Sequence, residues 1–238
     1  MSPLRFLRFG QEHDVARLTL ARPPLNILTT EMLQEMHEVL AAVAAHPTVK
    51  VLVIDGDGKA FSAGVAVEEH LGDRLKPMLD AFHQVFRTLR GLECLTLAAV
   101  HGAALGGGAE LAAFCDVVIA SEEATFGQPE IKVGVFPPIA ALHYPRRIGA
   151  ARTLALLLSG EVVTAAEALR LGLADRVVPR ASLAAAVTAQ VERVRAQSAV
   201  VLRLTKRAVC ETLGADFEPG LQALEDLYRY ELMTTEDA

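Results

Sequence analysis

Residues 95–120 read LTLAAVHGAALGGGAELAAFCDVVIA. This stretch opens on an apolar run, passes through three consecutive glycines at 106–108, and closes on a second apolar run. The two runs predict strands at 95–101 and 116–120, and the segment between them predicts a short helix that begins near Gly107. Because strand, helix and strand follow in that order, we expect a parallel sheet with right-handed crossovers.

The same periodicities extend toward the N-terminus. Continuous apolar runs are typical of strands buried on both faces of a parallel sheet, and apolar residues spaced three and four apart are typical of helices. These patterns predict strands at 4–9, 15–21 and 49–55, a turn at 10–14, and helices at 30–46 and 75–90.

Beyond about residue 138 few strand patterns remain, and the chain reads as mainly helical. Thr164 and Glu167 form a capping box, and Gly172 ends the helix that they begin. Three further helices are predicted at 181–197, 199–213 and 216–233. We therefore divide the chain into an α/β core over residues 1–178 and a helical C-terminal region over residues 179–238.

Composition excludes several classes of function. The 238 residues carry a net charge of −6 and no run of basic residues, so no nucleic-acid partner is expected. The three cysteines, Cys94, Cys115 and Cys210, form no CxxC pair, and their odd number favours a reducing compartment. The N-terminus does not resemble a secretory signal, and no apolar run approaches about 18 residues. A soluble cytoplasmic protein without a membrane partner is predicted.

Common glycine-rich motifs do not account for the glycine triplet. The dinucleotide fingerprint needs a glycine where Leu111 stands, and the Gly58–Lys59 pair lacks the hydroxyl residue that completes a phosphate-binding loop. No G-x-S-x-G nucleophile elbow is present. The seven histidines show no metal-ligand spacing, so no metal is expected.

Two interpretations of the triplet remain open. One is a tight strand-to-helix turn with close packing. The other is an oxyanion site, because the first N–H groups of a helix lack intrahelical partners and carry partial positive charge. The segment FSAGV (61–65) offers a second backbone N–H at Val65. Two donors from separate loops could stabilise a developing negative charge.

Two glutamates stand in apolar sequence near these donors. Glu110 follows the triplet, and Glu130 lies in FGQPEIKVG (126–134). Each alone could be an exposed residue. As a pair at the ends of neighbouring strands they indicate acid–base chemistry, because burial raises carboxyl pKa values toward neutrality.

At this point the sequence resembles the crotonase superfamily, the enoyl-CoA hydratases and isomerases. The matching segments are RPPLNIL (22–28), KAFSAG (59–64), HGAALGGGAELAAFCD (101–116), ATFGQPEIKVGVFP (124–137) and SGEVVTAAEALRLGLADRVVP (159–179). They run in the family's order, and a helical tail follows as expected. The resemblance implies a spiral of β-β-α units with a helical C-terminal trimerisation region, as a homotrimer or homohexamer.

The resemblance also implies a substrate and a division of roles. The substrate would be an acyl-CoA thioester, with coenzyme A as part of it and no separate cofactor. The thioester oxygen would bind the N–H groups of Val65 and Gly107. Glu130 would serve the substrate Cα, and Glu110 would position or activate water. The further substrate-binding residues would be Leu25, Ala63, Gly64 and Phe136.

The sequence departs from the family pattern in two places. Val65–Ala66 replaces the usual Ala-Asp pair. FPPIAALHYPRRIG (136–149) replaces a glycine-rich run, and we expect it to form a stiff apolar loop beside Glu130. Such a wall suggests a specialised acyl group and is similar to that of hydratases for cyclic dienoyl-CoA esters.

Hydration of an α,β-unsaturated acyl-CoA is thus the leading hypothesis. Double-bond isomerisation is the enzymatic alternative, since it forms the same enolate but usually needs one carboxylate. Outside catalysis, an RNA-binding protein or an inactive assembly subunit is possible. The negative net charge disfavours the first, and the retained glutamate pair disfavours the second.

Overall fold

The computed structural model describes residues 3–237. Its strands are β1 (Leu7–Glu12), β2 (Val15–Leu20), β3 (Val51–Gly56), β4 (Ala60–Ser62), β5 (Leu95–Val100), β6 (Ala103–Leu105), β7 (Val117–Ser121), β8 (Thr125–Gly127), β9 (Val162–Thr164) and β10 (Arg176–Val178). Its α-helices are α1 (Thr30–Ala44), α2 (Leu75–Gly91), α3 (Gly107–Phe114), α4 (Pro138–Ile148), α5 (Ala150–Ser159), α6 (Ala165–Leu171), α7 (Leu183–Arg195), α8 (Ala199–Thr212) and α9 (Phe217–Tyr230). Short 3₁₀ turns lie at Val67–His70, Gly72–Arg74, Pro129–Val133, Arg180–Ser182 and Leu232–Thr234.

The larger sheet has six strands in the order β1-β2-β3-β5-β7-β10. Strand β1 pairs antiparallel with β2, and every other neighbouring pair is parallel. The predicted parallel sheet with crossovers is therefore confirmed. Its central strands are apolar on both faces because helices cover one side and α7 packs against the other.

A second sheet of four strands, β4-β6-β8-β9, was not predicted. Its strands have three residues each, too few to carry a periodic pattern. The pairs β3 and β4, β5 and β6, and β7 and β8 each place one strand in either sheet. The chain thus winds as the expected spiral of β-β-α units, and the ends of β4, β6 and β8 meet beside the glycine triplet.

The helix patterns in the N-terminal half are confirmed. Helix α1 begins at the cap residue Thr29, whose side chain accepts from the N–H of Met32. Its apolar stripe is buried, as is most of the stripe of α2, and the two helices pack together over the larger sheet. The buried residues are Met32, Leu33, Met36, Val39, Leu40 and Val43 in α1, and Met78, Phe82, Val85, Phe86 and Leu89 in α2.

Two sequence predictions are wrong in detail. The first strand was placed at 4–9 with a turn at 10–14, whereas β1 continues to Glu12 and pairs in register from Leu7↔Leu20 to Glu12↔Val15. The turn is a two-residue hairpin in which His13 takes a φ of 54°. Past Gly10 the strand continues through Gln11 and Glu12, which are both exposed, so no alternation marks this part of β1 and its pairing with β2 is what extends the strand.

The segment 136–149 is also not a loop. It folds as helix α4, and α5 follows it directly. Pro138 occupies the first position of α4, where its fixed φ suits a helix and its missing N–H costs nothing. A second proline, Pro145, lies inside the helix, whose buried face is formed by Ala140, Tyr144 and Ile148. That burial compensates for the hydrogen bond that Pro145 cannot make.

The C-terminal helices form as predicted. The Thr164 side chain caps α6 by accepting from the N–H of Glu167, and Gly172 ends it in a left-handed conformation. Lys206 of α8 bonds Asp116 and the Cys94 carbonyl at the edge of the core. The boundary at residues 178 and 179 stays a prediction. Among the residues that the structure describes, no helix combines the length and apolar character needed to cross a membrane.

Candidate active site

Each glycine of the triplet lacks a side chain for a separate reason. A Cβ on Gly106 would lie 2.6 Å from Oε1 of Glu130, and its φ of 51° also disfavours any other residue. A Cβ on Gly107 would lie 2.8 Å from Cγ2 of Val65. A Cβ on Gly108 would lie 2.3 Å from the backbone oxygen of Ser62. The triplet therefore brings Glu130, Val65 and strand β4 against the start of α3.

Two backbone donors adjoin this point. In the described part of the chain, neither the Val65 N–H nor the Gly107 N–H has an acceptor. Gly107 opens α3, where no intrahelical acceptor exists. Around Val65, Leu28 donates to the Gly64 oxygen and accepts from the Ala66 N–H, both at 2.9 Å. The Val65 N–H belongs to the same trans peptide as the Gly64 carbonyl that faces Leu28, so this N–H points away from Leu28.

A buried asparagine that sequence reasoning missed holds the Val65 segment in place. Asn26 is fully buried, and its side-chain amide donates to the carbonyls of Asp57, Ala60 and Phe61 at 2.8–3.0 Å. The Ser62 hydroxyl donates back to the Asn26 carbonyl at 2.8 Å. These bonds tie the loop 22–28 to β4. An asparagine that closely follows two prolines is typical of a turn, so the local sequence did not predict these distant hydrogen-bond partners.

Glu110 lies in the first turn of α3 and is only 2% exposed. Its Oε1 accepts a hydrogen bond of 2.7 Å from the N–H of Ala140, at the start of α4. Burial raises the pKa of Glu110 from 4.5 to about 8, and the nearby Glu130 charge adds to the rise. The N–H groups of Ala140 and Ile139 oppose the rise but do not cancel it. Glu110 is thus suited to hold a proton near neutral pH.

Glu130 lies in the 3₁₀ turn Pro129–Val133 and is half-buried. Burial raises the pKa of this carboxyl too, and a hydrogen bond from its own backbone N–H opposes that rise. Its carboxylate faces Gly106, one residue before the free Gly107 N–H. The structure therefore brings the two predicted carboxyls and both predicted donors into one neighbourhood.

The other residues predicted to bind substrate fall around this neighbourhood. The N–H of Ala63 donates to the Leu25 carbonyl at 2.9 Å, so Leu25, Ala63 and Gly64 adjoin Val65. Phe136 precedes α4, and 70% of it is exposed. Their contacts with a substrate stay a prediction. Across residues 3–237, no group of three or more His, Cys, Asp or Glu side chains could hold a metal ion.

A fold of β-β-α units that brings two backbone donors together with one buried and one half-buried carboxyl defines a known class of acyl-CoA enzyme. The chain belongs to the enoyl-CoA hydratase/isomerase family, whose model matches residues 10–237.

Individual relatives are similar to this chain over nearly its full length. The cyclohexa-1,5-dienecarbonyl-CoA hydratase of Thauera aromatica is 36% identical over 238 residues, which is 100% of this chain and 91% of the relative. A probable enoyl-CoA hydratase of Mycobacterium tuberculosis is 36% identical over 95% of this chain and 89% of its own. The crystal structure of the Mycobacterium smegmatis enoyl-CoA hydratase superposes with a TM-score of 0.92 at 27% identity, covering 97% of this chain and 92% of that one.

Glu110→Gln should stabilise the fold more at alkaline than at acidic pH. Because the folded-state pKa of Glu110 is raised from 4.5 to about 8, stability is lost as pH rises through that interval. Glutamine does not ionise and avoids the loss. Between pH 5 and pH 9 we expect the advantage in unfolding free energy to grow by about 2–4 kcal/mol. Denaturant titrations at both pH values measure it.

The matched control is Glu123→Gln, which changes an exposed carboxyl in the turn after β7. It should not alter the pH dependence of stability. An advantage of Glu110→Gln that is equal at both pH values would show that the Glu110 carboxyl does not hold its proton in the folded state.

Proposed function

We propose that this protein is an enoyl-CoA hydratase, which adds water reversibly across the double bond of an α,β-unsaturated acyl-CoA thioester. The observation that carries the proposal is the convergence of two carboxyls of raised pKa, Glu110 and Glu130, beside two unoccupied backbone N–H groups. One carboxyl would suffice for moving a double bond. Adding water also needs a group that handles the water.

The backbone donors account for activation of the thioester. When a nucleophile attacks Cβ, negative charge develops on the thioester oxygen. The N–H groups of Val65 and Gly107 would stabilise that charge, and they are already oriented before substrate arrives. The rigid attachment of the Val65 segment by Asn26 lowers the cost of holding them there.

The two glutamates account for the proton balance. In hydration, ionised Glu110 takes a proton from water while the water oxygen forms a bond to Cβ. Protonated Glu130 then delivers a proton to Cα. Dehydration uses the opposite states, with Glu110 protonated and Glu130 ionised. The raised pKa of Glu110, about 8, lets this carboxyl hold near neutral pH the proton that dehydration requires. Proton exchange with solvent returns the two glutamates to their starting protonation states. The step balances with water and the thioester alone, and the proposal uses no cofactor.

A panel of linear and cyclic enoyl-CoA thioesters tests this proposal. Hydration removes the conjugated double bond, so the loss of enoyl thioester absorbance reports turnover. Saturated acyl-CoA esters of equal length are the controls, because they can bind but have no double bond. Absence of turnover with every enoyl ester, in protein that binds the saturated esters, would contradict hydratase function.

A cyclic dienoyl-CoA hydratase is the second candidate. The Thauera aromatica relative whose name specifies that substrate is similar along the whole of this chain. Prolines 137 and 138 at the start of α4 replace the glycine-rich run that is usual in the family. The cyclic esters in the panel distinguish this candidate from a hydratase of linear substrates. The cytoplasmic location and the absence of nucleic-acid and membrane partners stay predictions.

We expect the native species to be at least a trimer. The C-terminal helices carry apolar side chains that neither the core nor each other cover, including Phe217 at 76%, Tyr228 at 58% and Leu221 at 41% exposed. Patches of this kind usually mark an interface. Light scattering at micromolar concentration should return a trimer or a hexamer. A monomer would contradict this assembly.

A further inference from the structure

Helix α4 reaches both glutamates from one face. Ala140 donates its N–H to Glu110, and one turn later Tyr144 lies on the same buried face at 2% exposure. The Tyr144 hydroxyl is 2.8 Å from the side-chain amide of Gln128, which is 1% exposed. That amide in turn adjoins both carboxylate oxygens of Glu130 at 3.1 Å. Two buried polar side chains therefore link α4 to the second carboxyl.

Hydrogen bonding decides which end of the Gln128 amide faces Glu130. With the oxygen toward an ionised carboxylate, acceptor would face acceptor. With the nitrogen there, Nε2 donates to both oxygens of Glu130 and Oε1 accepts from the Tyr144 hydroxyl. The second arrangement satisfies every polar group of the three residues.

The Tyr144 hydroxyl favours that arrangement. Turning the amide over would make Nε2 the donor to Tyr144, and the tyrosine proton would then be buried without an acceptor in the described part of the chain. Burial keeps Tyr144 neutral, since it raises the pKa of the phenol far above its usual range. Its proton is therefore always present to donate.

We infer that Tyr144 is a positioning residue, whose hydroxyl donates to Gln128 Oε1 and thereby keeps the Gln128 amide nitrogen on the Glu130 carboxylate. The inference rests on the proposed function, in which Glu130 exchanges a proton with the substrate Cα. It adds a residue outside the matching family segments, in the helix where the sequence departs from the family pattern.

The consequence is that the ionised form of Glu130 is favoured, which opposes the rise in the pKa of Glu130 that burial causes. Without the Tyr144 hydroxyl, the amide can present its oxygen to a protonated Glu130, and the pKa of Glu130 rises. The other titratable group facing Glu130 is Glu110 on α3. Lys132, in the same 3₁₀ turn, lies against Gly160. Arg152 of α5 donates to the Leu171 carbonyl.

Tyr144→Phe tests the inference, because it removes one oxygen and keeps the ring. In the dehydration direction, in which Glu130 must be ionised to take the proton from Cα, the acidic limb of the kcat/KM–pH profile should move up by about one pH unit. Activity should thus fall about tenfold below the limb and little on the plateau. Tyr230→Phe, at a tyrosine 70% exposed, is the matched control and should leave the profile unchanged.

Two results would overturn the inference: an acidic limb that does not move, or a loss of activity that is equal at every pH, as a merely structural residue would give. A second measurement does not depend on hydration. Carboxyl-carbon NMR with isotope-labelled glutamate, with the Glu130 signal assigned by its absence in Glu130→Gln, should show the Glu130 titration midpoint rise in Tyr144→Phe. This midpoint tests Tyr144 even if the enoyl-CoA panel refutes the hydratase.

Discussion

Replacing either Glu110 or Glu130 by glutamine should lower hydration turnover by about 10²–10⁴-fold, the range for loss of a general acid or base. Glutamine keeps the shape of the side chain and can still accept from the N–H of Ala140, but it cannot exchange a proton. Because both groups serve one water addition, the double variant should be far less than multiplicatively worse. Steady-state rates on the best ester of the panel measure all three variants.

Saturated acyl-CoA affinity is the control for these variants. It should stay within a few-fold of wild type, because the thioester oxygen is held by backbone groups and not by either carboxyl. Glu123→Gln should leave both turnover and affinity unchanged. Near-normal hydration by Glu110→Gln, with activity lost only in Glu130→Gln, would contradict the paired mechanism. Double-bond migration without hydration, lost only in Glu130→Gln, would favour an isomerase.

Gly107→Pro should lower turnover by about 10²-fold or more relative to Gly107→Ala. Both substitutions add a Cβ, which would meet Cγ2 of Val65 at 2.8 Å and the Phe82 ring at 3.0 Å. Only proline removes the N–H, and the first position of a helix otherwise accepts it. The ratio of the two variants therefore isolates the donor from the packing defect.

Both variants should be compared after their stability is measured. Thermal unfolding measures whether the Cγ and Cδ atoms of proline cost stability beyond the Cβ that both variants share. Adding Val65→Ala to each should relieve the contact without restoring the proline variant. Equal turnover of the alanine and proline variants, both folded, would remove Gly107 from the oxyanion site.

The elements that sequence predicts well are long and periodic. Helices α1 and α2 and strands β3, β5 and β7 bury continuous apolar patterns, which specify both type and location. The short strands of the second sheet could not be predicted in this way. Three residues are too few to show a periodic pattern, and the pairing of these strands depends on segments far away in the chain. Helix α4 was missed for another reason. Its prolines suggested a break, although the first proline sits where a helix tolerates it and the second is outweighed by burial.

The residues of the candidate site likewise fall into those that local sequence reveals and those that it does not. Local sequence identified Glu110, Glu130 and Gly107 as candidate site residues, because carboxyls within apolar sequence and consecutive glycines are unusual. The residues that hold them in place are ordinary in their own sequence. Ala140 meets Glu110 across 30 residues, and Asn26 meets Ala60 across 34. Such contacts are set by the spiral of the fold, and no local pattern contains them.

The most direct test of the central proposal is turnover in water labelled with both heavy oxygen and deuterium, with products read by mass spectrometry. Because Glu110 is proposed to direct water to Cβ and Glu130 to protonate Cα, the product should carry one labelled oxygen at Cβ and one deuterium at Cα. In Glu110→Gln both labels should be lost together. Deuterium incorporation without labelled oxygen, with a shifted double bond, would show an isomerase and contradict the hydratase proposal.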